Sequence, residues 1–235
     1  MTAISPGIDK TDQADDYNER GISFFNLKKY PDAIKEFTKA IKLVGNDADY
    51  YYNRGLSYYS MKMYKEAMDD YRKATELNPD NPDYLNALGS VLEDTGDVDG
   101  AIEQFNRAIS IENDVPDFYY NRGNAYYRKR ELNSALNDYS MAIRLNSADQ
   151  IFLFRRYKLF VEMRRPEDAL NDIDALIKLS PSNIFFLKKR VETLMELKRN
   201  SEAEKTLQMA EEINPDDEEL AKLRAALNPK EDSKE

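Results

Sequence analysis

The chain has 235 residues, 41% hydrophobic and 33% charged, with a net charge of -10 and neither cysteine nor histidine. That excludes a disulfide framework, a thiol nucleophile, the usual zinc ligands and an imidazole base, and with them much of enzyme chemistry. No apolar run approaches the roughly 20 residues needed to span a bilayer, and Met1 to Asp12 lacks the basic-then-apolar order of a signal peptide. The expectation is a soluble, cytoplasmic protein, or a periplasmic or exported one if a signal peptide has been removed.

From the N-terminus, residues 1–13 read as a disordered tail, broken at Ser5, Pro6 and Gly7. A strict period then sets in. Gly21, Gly55, Gly89 and Gly123 lie 34 residues apart, and Ala33, Ala67, Ala101, Ala135, Ala169 and Ala203 keep that interval to the end. The run Tyr51, Tyr52, Asn53, Arg54, Gly55 returns as Tyr119, Tyr120, Asn121, Arg122, Gly123. The period divides the chain into 14–47, 48–81, 82–115, 116–149, 150–183 and 184–217, each two antiparallel helices. Pro31 and Pro166 stand where a second helix begins, and Thr95, Gly96, Asp97 form an explicit turn in the third repeat. Asn78 to Asp83, Ser180 to Ser182 and Asn214 to Asp216 end one repeat and cap the next. Residues 218–228 place Leu220, Leu223 and Leu227 on one face of a capping helix, and 229–235 form a charged tail.

A 34-residue period of paired helices resembles the tetratricopeptide family over nearly the whole chain. The resemblance implies an all-α fold, a right-handed α-solenoid of six helix-turn-helix repeats in one elongated domain. The glycine of each first helix then faces the small residues of the second, Ala33 and Ala40 in repeat one, with large side chains such as Phe37 around the crossing. Tyr157 and Val191 replace the glycine in repeats five and six. A looser helix pair and a change of curvature near repeat five are expected there.

Five repeats carry arginine just before the glycine position: Arg20, Arg54, Arg122, Arg156 and Arg190. Sixteen residues on stand Glu36, Asp70, Asp138, Asp172 and Thr206, whereas repeat three has Leu88 with Gln104. Arginine thus accompanies an acid in four of the five, which points to ion pairs between the two helices of one repeat.

In the family, first helices line a concave surface that binds peptides. By that resemblance the peptide-binding residues are Tyr52, Asn53, Tyr59, Asn86, Tyr120, Asn121, Asn124, Tyr127, Arg155, Lys158, Lys188 and Lys189. Asparagines hold a backbone through donor and acceptor, tyrosines supply contact area, and the four cations favour carboxylates. Asp15, Asp49, Asp83 and Asp117 read as first-turn acids complementing the helix dipole. Charge is uneven along the chain: -9 over 1–115, +1 over 116–149, +4 over 150–200 and -6 over 201–235. This opposes nucleic-acid binding, which needs a broad basic surface, and favours acidic segments at repeats five and six. The carboxylate clamp of chaperone-binding members does not fit: on repeats three to five only Asn121 and Arg155 match its pattern.

The leading expectation is a non-catalytic scaffold for a protein or peptide ligand, with no metal, cofactor or membrane insertion. Self-association as a homo-oligomer is the alternative. A carboxylate enzyme built on Asp94, Asp97 and Asp99 ranks last, because those residues look like a turn.

Overall fold

The computed structural model describes residues 9–228. The tails expected at 1–8 and 229–235 lie outside the described residues. Thirteen helices occupy the described chain: α1 Lys10–Asn26, α2 Tyr30–Leu43, α3 Ala48–Ser60, α4 Tyr64–Leu77, α5 Pro82–Thr95, α6 Val98–Ile111, α7 Pro116–Arg128, α8 Leu132–Leu145, α9 Gln150–Glu162, α10 Pro166–Leu179, α11 Ile184–Glu196, α12 Asn200–Ile213 and α13 Glu218–Leu227. The first helix begins earlier than the sequence suggested. Asp9 accepts the Thr11 amide at 3.4 Å, so residues 10–13, read as tail, are its first turn. By packing, the chain falls into two units, divided between Glu131 and Leu132. The first unit holds α1 to α7 and the second α8 to α13.

Each hairpin forms for local reasons. First helices are capped by a side-chain oxygen on backbone amides, as at Asp47, Asn81, Asp149, Asn183 and Asp217, which satisfies donors that a helix start otherwise leaves orphaned. They end in a left-handed residue at a fixed place: Lys28, Lys62, Gly96, Arg130, Arg164 and Lys198, with φ between 55° and 97°. Only one of these six is glycine. A cation in that conformation costs about 1 kcal/mol against glycine, partly offset by its charge beside the helix C-terminus.

The glycines have a sharper role than close approach to alanine. A Cβ built on Gly55 would lie 2.7 Å from the Tyr71 ring, and one on Gly89 would lie 2.6 Å from the Phe105 ring; Gly21 stands likewise against Phe37. In each case the ring is sixteen residues on and completely buried. The glycine is the socket for an aromatic side chain, whose burial contributes roughly 1.5–3 kcal/mol. This also explains repeats five and six. Opposite Tyr157 and Val191 the residues sixteen on are Ile173 and Leu207, smaller and fully buried. Volume is exchanged across the interface, fully in repeat five and in part in repeat six, and these two helix pairs pack less closely than those of repeats one to three, as the loss of the glycine leads one to expect.

Volume exchange of this kind predicts a compensating pair. Gly55→Val should lower stability by about 1–3 kcal/mol through overpacking. With Tyr71→Leu added, which recreates the Val191 and Leu207 arrangement, a double-mutant cycle from denaturant midpoints should show favourable coupling of at least about 1 kcal/mol. Additive effects would mean the socket does not exist.

Candidate functional site

The arginines set the frame on which the candidate residues sit. In the first unit Arg54 grips Asp70 through Nε and Nη2, at 2.8 and 2.7 Å, and its Nη1 donates to Thr38 at 3.2 Å. In the second unit Arg156 repeats the arrangement, with Asp172 at 3.0 and 2.7 Å and Ser140 at 3.0 Å. The expected pair within a repeat is present, but the same fork also reaches sixteen residues back, into the preceding second helix. Arg122 shows this backward arm, donating to Asn106 at 2.6 Å. Arg20 is the loose member: its contact with Glu36 is 3.8 Å and its side chain is 55% exposed, against 18% for Arg54. Arg190 meets Thr206 ahead, which carries no charge, and its carboxylate partner is Asp174 behind, at 2.6 Å.

On the first-helix face of the first unit a second interval operates, linking residue i to i+35. Asn53 donates to Asn18 at 3.0 Å and Asn121 to Asn86 at 2.9 Å. The hydroxyl of Tyr59 donates to Asp94 at 2.6 Å, Tyr50 donates to Asp15 and Tyr84 to Asp49. Tyr52 stacks between Tyr71 and Tyr84, with centroids 6.0 and 4.9 Å away. The predicted contact residues are therefore first of all joints between neighbouring repeats. Asp15 and Asp49, read as dipole partners alone, accept a hydrogen bond from a tyrosine of the next repeat. Tyr50 was overlooked beside its neighbours, yet it is the buried one of Tyr50, Tyr51 and Tyr52. Tyr52, Tyr59 and Asn86 still border a shallow hollow of about 180 Å³ with Leu56, Ala87 and Ser90. Tyr120, Asn124 and Tyr127 are half-buried on α7.

In the second unit the first-helix face is different in kind. A groove of about 490 Å³ between α9 and α11 is lined by Phe154, Tyr157, Val161 and Phe185, with Lys158, Lys189, Glu162 and Glu192 around it. Phe154 stacks on Tyr157 at 5.7 Å and meets Phe185 edge-on at 5.4 Å. Phe185 is 45% exposed. Of the predicted cations, Lys158 and Arg155 are exposed, and Lys189 is held by Glu192 at 2.7 Å beside the Phe185 ring. Lys188 leaves the site altogether. It bridges Asp217 at 3.2 Å and Glu219, with only 13% of its side chain exposed, and fastens α13 to α11. Glu219 and then Asp217 raise the affinity of Lys188 for a proton; the capping amide of Leu220 first, and then Lys188, lower that of Asp217, and Lys188 lowers that of Glu219. The aromatic lining was missed because Phe154 and Phe185 interrupt the Tyr-Asn pattern of the earlier repeats.

The carboxylates Asp94, Asp97 and Asp99 are occupied structurally: Asp94 by Tyr59, Asp97 by the Gly100 amide at 3.0 Å, and Asp99 by Lys129 at 2.8 Å. Among the described residues no helix is long and apolar enough to cross a membrane.

Models of the tetratricopeptide repeat match residues 48–81 and 116–149, 70–103 and 160–227, and a TPR repeat model matches 21–62 and 94–130. This chain is a tetratricopeptide repeat protein. Solved structures agree on the fold. The C-terminal part of a TPR repeat-containing protein from Cytophaga hutchinsonii is similar at a TM-score of 0.76 and 18% identity, covering 89% of this chain and 84% of that one. Pseudomonas aeruginosa PilF is similar at 0.74 and 17%, covering 92% and 99%. YrrB, described as a TPR protein with an unusual peptide-binding site, is similar at 0.64 and 22%, covering 80% and 97%. No curated protein gives a significant sequence match. Tetratricopeptide proteins are typically protein-interaction scaffolds, and this chain has that architecture.

The tyrosine joints carry a pH signature. Burial first, and then the carboxylates that they bond, hold the phenols of Tyr50, Tyr59 and Tyr84 well above their ordinary range. A raised phenol keeps its proton in the folded protein after the unfolded chain has begun to lose it at about pH 10. Their contribution is therefore complete below about pH 10 and falls as pH rises beyond it. Denaturation midpoints should drop between about pH 10 and 11, and drop less steeply in Tyr50→Phe, which has no proton to lose. Parallel pH profiles for the two proteins would refute the assignment for Tyr50.

Proposed function

We propose that this tetratricopeptide protein is a non-catalytic scaffold that binds a segment of a partner protein on its first-helix faces, with the groove between α9 and α11 as the principal site. The observation that carries the reading is Phe185. A large ring left 45% exposed over an aromatic floor marks a place where burial by a ligand returns the most free energy, about 25 cal/mol per Å² of apolar surface covered. The groove suits one large apolar side chain, with the chain on either side running along α9 and α11.

The preference for acidic segments narrows accordingly. Lys188 is neutralised by the cap and Lys189 by Glu192, so the exposed Lys158 of α9 is the cation placed for a ligand carboxylate. The favoured segment is an apolar anchor with an acidic residue beside it. The tyrosine and asparagine face of the first unit offers a second, weaker site. Its amides spend one N–H and one lone pair on each other and keep the remainder for a peptide backbone. YrrB's description names a peptide-binding site on the same fold, which supports the reading at the level of the family.

Selection of a displayed random-peptide library on the intact protein, followed by titration of the recovered peptides, tests this directly. The recovered sequences should pair a large apolar residue with Asp or Glu. Phe185→Ala should weaken them at least about tenfold, which is about 1.4 kcal/mol. Lys158→Glu should weaken them several-fold and flatten the salt dependence. Peptides that bind both variants as tightly as the parent would place the site elsewhere.

A further inference from the structure

The second unit has another groove on the opposite set of helices, where α10 and α12 lie side by side. It holds about 330 Å³ and is lined by Ile177, Leu187 and Met209, with Asp174, Arg190 and Thr206 at its polar end and Lys178 on its rim. Its chemistry follows from an exchange of partners within the arginine frame. Arg54 and Arg156 each have a carboxylate sixteen residues ahead and a hydroxyl sixteen residues back, and the two close Nε, Nη1 and Nη2 together. Around Arg190 the order is reversed: the hydroxyl, Thr206, is ahead and the carboxylate, Asp174, is behind. Asp174 is also far less enclosed, with 38% of its side chain exposed against 7% for Asp70 and 3% for Asp172. With Asp174 on Nε and Thr206 on Nη1, Nη2 has no partner among the described residues, on a guanidinium that lines the groove.

Two further features define an occupant. Arg190 and Lys178 exceed Asp174 by one positive charge, so the polar end suits an anion. A guanidinium edge favours an oxyanion that accepts in its plane. Met209 and Ile213 are exposed at 50% and 44% and lie one turn apart on α12, which extends the apolar wall by about 6 Å along the helix. A free ion would leave that stripe uncovered. A segment running along the groove would cover it.

We propose that the groove between α10 and α12 is a further binding site, separate from the aromatic groove and from the tyrosine and asparagine face, and that it takes an aliphatic segment of a partner protein bearing an internal glutamate or aspartate. The acidic side chain reaches the open Nη2 edge of Arg190, and the aliphatic residues lie on Ile177, Met209 and Ile213. The site arises because repeat six has threonine where repeats two and five have aspartate.

The methyl group of Met209 reports on the groove. With methionine methyls labelled in the full chain, the probe is an N-acetylated, C-amidated helical peptide of alanine, leucine and glutamine carrying one glutamate. The Met209 resonance should shift saturably. The same peptide with glutamine in place of the glutamate should bind at least about tenfold more weakly. Arg190→Gln should reduce the affinity similarly, and Met209→Glu, read by fluorescence anisotropy of a dye-labelled peptide because it removes the reporting methyl, should abolish binding. Lys158→Glu and Phe185→Ala should leave the Met209 titration unchanged, which separates this site from the aromatic groove. Equal binding of the glutamine peptide, no saturable shift, or loss of the shift in Lys158→Glu would each overturn the proposal.

Discussion

The structure depends on one geometric relation: a residue at position i of a first helix lies against position i+16 of its own second helix and against position i-16 of the one before. At the glycine position the relation is one of volume, an empty place on one helix and a ring on the other. At the arginine position it is one of charge and hydrogen bonding. Both are satisfied in the same turn of helix, because Arg54 and Gly55 are adjacent and so are their counterparts Asp70 and Tyr71. The arginine links three helices where the aromatic contact links two, so a hairpin is tied both internally and to its predecessor by a single side chain. A half-buried guanidinium can do this because its donors form a rigid fork that different acceptors close from different sides.

This relation also explains how much was legible. The period of 34 located the hairpins, and a pairing of arginine with an acid sixteen residues on led correctly to Arg54 with Asp70 and Arg156 with Asp172. The backward arm to Thr38 and Ser140 went unseen because a hydroxyl carries no charge to correlate with. The interval of 35 was hidden for a related reason. Asp15 and Asp49 already had a sufficient local explanation in the helix dipole, and Asn53 looked available for a ligand because its partner, Asn18, belongs to another repeat. The ion pairs of Lys188 were not legible because its acids, Asp217 and Glu219, stand at the start of the capping helix and follow no period. Contacts that repeat with the array can be read from it; contacts made once, at its end, cannot.

Repeats five and six show what happens when the relation is kept while its chemistry changes. Volume moves from the second helix to the first in Tyr157 with Ile173 and Val191 with Leu207, and in repeat six the carboxylate moves from ahead of the arginine to behind it. Neither change disturbs the buried alanines Ala169 and Ala203. Volume is thus traded between two positions rather than kept residue by residue, and the surface features of the second unit, an exposed ring on one face and an open guanidinium on the other, are by-products of those exchanges.

The left-handed turns have a wider consequence. Because the joints at i+35 run in one direction, successive first helices lie parallel within a unit. Their turn residues, Lys28, Lys62 and Arg130 in the first unit and Arg164 and Lys198 in the second, therefore line up along one margin. The capping aspartates, Asp9 and Asp47 in the first unit, Asp149 and Asp217 in the second, gather along the other. The second helices begin at the same margin with acids, and Lys129 meets Asp99, Arg165 meets Asp168 and Arg199 meets Glu202, so these turns that close the hairpins carry their own short-range ion pairs, which salt screens turn by turn.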